Sequence, residues 1–181
     1  MCIKFEEDIN NYELLLDKEM TNEEYESYIA EIMPLIGELV ITFNRIDSSI
    51  NIYIKDLVSN SFYEDEIPYI FISEMNYSSK INVLKKLYNY FLRTTQKEYK
   101  KDLEKIISEL QKAGTIRNNI IHAEWDEVSK DYMVKIKTKV KQSGAVNIYR
   151  IINSDTIKKE ILFIEDTQEN LEKFDDEYME R

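Results

Sequence analysis

The chain has 181 residues, 43% of them hydrophobic, with three glycines, two prolines and a formal net charge of −11. So few turn residues argue against a β-sandwich or barrel and for helices, and no two glycines are spaced for a P-loop or a Gly-rich dinucleotide fingerprint. The lone cysteine, Cys2, excludes an intrachain disulfide and a thiolate metal site. No apolar run approaches the roughly 20 residues that span a bilayer. The N-terminus reads Met-Cys-Ile-Lys-Phe-Glu-Glu-Asp, acidic where a signal peptide is basic, so a soluble cytoplasmic protein is expected.

Length and composition fit a single domain over 1–181. Charge is spread unevenly. Residues 1–79 hold 4 Lys/Arg against 17 Asp/Glu, residues 80–160 hold 18 against 10, and residues 161–181 hold 2 against 8. The net acidity argues against nucleic acid as a partner. The basic middle either meets an anionic partner or lies against the acidic ends within the monomer.

In chain order, residues 4–19 read as a short helix on the spacing of Phe5, Ile9, Tyr12, Leu15 and Leu16. Thr21 and Glu24 form a capping box. A helical pattern then runs to about Ser59, with a kink or break expected at Pro34. Its stripes are Tyr25, Tyr28, Ile29 and Ile32, then Leu35, Leu39, Ile41, Phe43, Ile46, Ile50, Ile52 and Ile54. Asp47 sits among apolar and small residues, where an unpaired carboxylate is costly. Pairing with Arg45 or Arg117 would satisfy it and make it a supporting site residue; a solvent-facing Asp47 is the other reading.

Residues 60–78 form a loop carrying Tyr69-Ile-Phe-Ile72, either a helical turn or an extended piece. Ser79 is expected to cap a helix to about Arg93, with Ile81, Leu84, Leu87, Tyr88 and Phe91 inward and Lys80, Lys85 and Lys86 outward. The next helix starts near Lys97, carries Leu103, Ile106, Ile107 and Leu110, has a possible bend at Gly114 and continues to about Ala123. A β-hairpin follows, Asp131–Val140 and Val146–Ile152 around Gln142-Ser-Gly144-Ala. Its lysines 135, 137, 139 and 141 either touch phosphates or protect an open strand edge. Asn153-Ser-Asp155 caps a final helix with Ile157, Ile161, Ile164 and Leu171. The fold class is therefore mainly α, an antiparallel helical bundle with a C-terminal hairpin and a last helix.

The only histidine and only tryptophan of the chain share one stretch, Ile116-Arg-Asn-Asn-Ile-Ile-His-Ala-Glu-Trp125. Cleavage of RNA by its own 2′-hydroxyl needs a base, an acid for the leaving 5′-oxygen, and positive charge on the phosphorane. Histidine serves as base or acid, and the arginine fork suits phosphate oxygens. Asn118 and His122 share a helix face, and Arg117 lies about 140° around from His122. A two-fold dimer would bring two copies of each to one seam. The structural alternative is a satisfied histidine bonded to backbone or to Glu124. No metal-ligand spacing is present, and no cofactor is expected.

This stretch resembles the signature of the HEPN superfamily, an arginine, a polar residue, and a histidine four to six residues after the arginine on the last helix of a bundle. Arg117, Asn118 and His122 fill those positions. The resemblance covers about residues 22–125, leaving 126–181 as an extension. It implies a metal-independent endoribonuclease, homodimeric, with Arg117 and His122 as the catalytic pair, Asn118 in support, and RNA rather than DNA as substrate; no membrane partner is expected, since no apolar run is long enough to span one. It also implies a toxin or phage-defence role, with an antitoxin or other protein partner. Glu124 stands where members silenced by a nucleotidyltransferase carry tyrosine, so that control is not expected. The other reading is a catalytically inactive binding protein of the same fold.

Overall fold

Thr21 opens the first helix by the reciprocal cap expected from the sequence. The Thr21 hydroxyl accepts from the Glu24 N–H at 3.3 Å, and the Glu24 carboxylate accepts from the Thr21 N–H at 2.8 Å. The computed structural model describes residues 4–8, 20–59, 66–94, 98–125, 128, 132–142 and 144–179. Among these lie five helices, α1 (Asn22–Val58), α2 (Ile67–Ser73), α3 (Tyr77–Leu92), α4 (Lys100–Ile121) and α5 (Ser154–Met179). Three strands accompany them, β1 (Lys4–Asp8), β2 (Met133–Lys141) and β3 (Gly144–Ile151). The mainly helical class, the hairpin and the final helix agree with the sequence reading. No described helix is long and apolar enough to cross a membrane.

The chain divides into two compact units, residues 1–40 with 116–161, and residues 41–115 with 162–181. In the first, β3 is the centre of an antiparallel sheet ordered β1-β3-β2. Here the helix expected over 4–19 is corrected: Lys4–Asp8 is a strand in register with Arg150 to Val146. Five residues hold no helix of their own, and an unpaired edge of β3 offers them backbone partners that local periodicity does not report. The rest of that expected helix, with Ile9, Tyr12, Leu15 and Leu16, lies outside the described residues. Buried side chains of this unit include Ile32, Leu39, Ile120, Val134, Ile148, Ile152 and Ile157. The Tyr28 hydroxyl donates to the Ile152 carbonyl at 2.7 Å and ties α1 to the end of the sheet.

The second unit is helical among its described residues. α1 contributes Phe43, Ile46, Ile50 and Ile54, α4 contributes Leu103, Ile106, Ile107 and Leu110, and α5 contributes Ile164, Leu171 and Phe174. Ile41 and Ile52, expected in this core, are exposed; each sits two residues beyond a buried side chain, a 200° step around the helix. Helix α1 passes through Pro34 without the expected break.

Three expectations for α3 are also corrected. Its cap is Asn76, whose side chain accepts from the Ser79 N–H at 2.9 Å, so Ser79 is the capped residue. Lys80 is buried and Phe91 exposed, the reverse of the sequence reading. The buried row is Lys80, Leu84, Tyr88 and Leu92, spaced by four, and such a row drifts about 40° per step. At the end of the helix the row has moved to Leu92, 100° around from Phe91.

Tyr69-Ile-Phe-Ile72 belongs to the helical α2, of which only Pro68 and Ile72 are buried. The loop positions 60–65, the expected helix start at Lys97 and the expected strand start at Asp131 lie outside the described residues. The final helix is capped as expected, Asn153 accepting from the Thr156 N–H at 2.9 Å.

A candidate Arg/His site at the end of α4

Ile116 and Ile120, four residues apart, are both buried and fix the last turns of α4. That anchoring turns their neighbours outward: Arg117 is half-buried, and Asn118 and His122 are exposed. The Arg117 Nη1 donates to the Asn118 Oδ1 at 3.1 Å. His122 is the first residue past the helix, and its amide still donates to the Asn118 carbonyl at 3.1 Å. Asn118 thus holds both other members, Arg117 by its side chain and His122 by its backbone. His122 is therefore not buried in the core.

Trp125 closes the helix end. Its indole N–H donates to the Ile120 carbonyl at 3.0 Å, beside the Ala123 N–H at 3.4 Å, so both reach a carbonyl in the last turn of the helix. Glu124, one of the partners considered for a satisfied His122, bridges to β2. Its N–H donates to the Lys135 carbonyl at 2.9 Å, and its carboxylate meets the Lys135 Nζ at 2.5 Å.

Asp47 lies in the other unit. Both of its carboxylate oxygens accept from the Lys80 Nζ, at 3.0 and 2.8 Å. The partner is therefore Lys80, expected in solvent, and not Arg45 or Arg117. A lysine heading an i+4 row of apolar residues was the available signal.

The sequence reading missed a recess of about 450 Å³ in the first unit, lined by Met20, Glu23, Glu24, Ser27, Tyr28, Glu31 and Tyr132. Tyr28 and Tyr132 stack at a centroid distance of 5.1 Å, and Tyr132 has a left-handed φ of 57°. Burial, then the charges of Tyr132 and Glu31, push the Tyr28 hydroxyl well above its ordinary range. Three carboxylates make this recess a poor place for phosphate. No residue of the Arg117, Asn118 and His122 cluster lines it.

Among the described residues no three His, Cys, Asp or Glu side chains are grouped to hold a metal ion. Compared with family models, curated proteins and solved structures, the chain matches none.

Proposed function

We propose that the chain is a metal-independent endoribonuclease of HEPN type, acting as a toxin or phage-defence effector through a dimeric Arg/His site. The observation that carries the reading is the exposed His122 directly past α4, with Arg117 and Asn118 hydrogen-bonded to each other one turn before it. In the proposed reaction His122 takes the proton of the 2′-hydroxyl, whose oxygen attacks the adjacent phosphorus. The Arg117 fork stabilises the charge on the phosphorane. The bond to the 5′-oxygen breaks, and that oxygen receives a proton from the His122 of a second copy. The products are a 2′,3′-cyclic phosphate and a free 5′-hydroxyl. One chain holds a single histidine, so separate acid and base histidines require two copies meeting at this helix end.

The test is expression of the wild-type chain beside His122→Ala and Arg117→Ala, with cell growth and total RNA followed. Wild-type toxicity with broken RNA, both lost in the two variants at equal protein level, is the expected result. Variants as toxic as the wild type refute the assignment.

A second reading, a non-catalytic interaction protein of the same fold, is favoured by α2. Ile67, Ile70 and Phe71 on that helix are each more than 60% exposed, an apolar display of the kind that marks protein interfaces. Growth inhibition that survives loss of His122 but not Phe71→Ser would select it.

A further inference from the structure

The chain does not leave the site when α4 ends. Two residues after His122, Glu124 joins β2 at Lys135 through the backbone bridge and the ion pair already described. β2 is an edge strand in the order β1-β3-β2, so Glu124 occupies its outer side at that one position. The strand therefore starts its exposed run beside the candidate site.

A bulge then sorts the lysines. Lys135 pairs with Tyr149 and Lys137 with Ile148, neighbouring residues of β3, leaving Ile136 as the extra residue. Successive strand residues point to opposite faces, so Lys137 and Lys139 are turned away from the face of Lys135. A regular strand would have put all three on one face, as the alternating sequence suggests. Lys135 is consumed: its side chain is 14% exposed and paired with Glu124. Lys137 and Lys139 are exposed. The acidic residues of β1 sit at register positions on the far side of β3, about 10 Å from β2.

Charge along β2 runs in one direction. Before the strand, Tyr132 lines the recess that holds Glu23, Glu24 and Glu31. At Lys135 the charge is neutralised. Beyond it come two exposed lysines, one and three residues of β3 further along by register, or about 3 and 10 Å by the rise of a strand. A polyanion beside His122 is repelled at one end of β2 and attracted at the other.

We propose that Lys137 and Lys139 are positioning residues, a track for the phosphates of a single-stranded RNA that extends past the cleaved bond. The proposal rests on the ribonuclease reading of Arg117 and His122. It makes the preferred substrate a strand several nucleotides long, because contacts away from the reacting bond hold it in place.

The test uses full-length protein carrying His122→Ala, which binds without cutting, and a fluorescent 20-nucleotide single-stranded RNA. Affinity is read by anisotropy across a salt series. Each phosphate contact contributes about 0.7 to the slope of log K against log salt on single strands. Lys137→Gln with Lys139→Gln is expected to lower that slope by about 1.4. Lys100→Gln with Lys101→Gln, two exposed lysines at the other end of α4, changes net charge equally and is expected to leave it unaltered. In otherwise wild-type protein the track variant is expected to raise KM for the long RNA and leave cleavage of a dinucleotide unchanged. An unaltered slope, or an equal fall in the control pair, overturns the track and leaves the ribonuclease reading standing. If the wild type neither binds nor cuts RNA, both fall together.

Discussion

Gly114 tests the packing of the helices that carry the site. A bend of α4 is possible at this residue on sequence alone, yet the helix continues through it. Its role is space. A Cβ at this position would lie 2.8 Å from the Tyr77 Cε1 and 2.9 Å from Cδ1, where carbon atoms prefer about 3.5–4.0 Å. The ring is held: the Tyr77 hydroxyl donates to the Leu110 carbonyl at 3.0 Å, and Phe43 lies at a centroid distance of 4.7 Å. Overpacking of this kind costs about 1–3 kcal/mol, while Gly→Ala within a helix returns about 1 kcal/mol. Gly114→Ala should therefore destabilise by about 1 kcal/mol net, or a fall of about 2–4 °C in Tm for a chain of this size. In a Tyr77→Ala background the same change should stabilise by about 1 kcal/mol, because only the helix term remains. Urea unfolding followed by circular dichroism closes the double-mutant cycle. A Gly114→Ala variant more stable than the wild type refutes the close approach of Tyr77.

Further outcomes follow from the same geometry. Asp47→Ala leaves the Lys80 ammonium, its side chain 10% exposed, without its carboxylate and should cost about 2 kcal/mol, below the full value of a buried pair because Asp47 is partly solvated; adding Lys80→Met should recover most of it. His122→Ala and Arg117→Ala should each shift stability by less than about 1 kcal/mol, since neither side chain is buried, so their loss of RNA cleavage would report chemistry and not unfolding. Burial, assisted by the charge of Asp47, raises the Tyr77 hydroxyl above its ordinary range, as burial does for Tyr28. A hydrogen bond to Asp102 pushes Tyr178 up to about 12. The folded state therefore holds these protons more tightly than the unfolded chain. The stabilisation is complete below about pH 10 and is lost as pH rises above it. Absorbance at 295 nm should show Tyr28 and Tyr77 silent in the folded protein while exposed tyrosines titrate; free titration of all of them near pH 10 would refute their burial.

Much of this protein is written in local pattern. The capping box at Thr21, the Asn153 cap, the buried rows of α4 and α5, and the hairpin are short-range features, set by hydrogen bonds and periodicities that span a few residues. The stretch from Arg117 to Trp125 could be singled out because it holds the chain's only histidine and tryptophan, and its spacing sets which residues share a face. Other features depend on residues distant in sequence. β1 exists because β3, some 140 residues later, presents an edge to pair with. Lys80 is inside because Asp47, 33 residues earlier, neutralises it, and Gly114 is needed because the Tyr77 ring fills the place of a side chain. The same holds around the site: composition could not place Glu124 on Lys135, nor tell which lysines of β2 a bulge leaves exposed. Local sequence determined the caps at Thr21 and Asn153 and the buried faces of α4 and α5; the tertiary structure decided which charges are paired, because partners far apart in the chain meet only once it has folded.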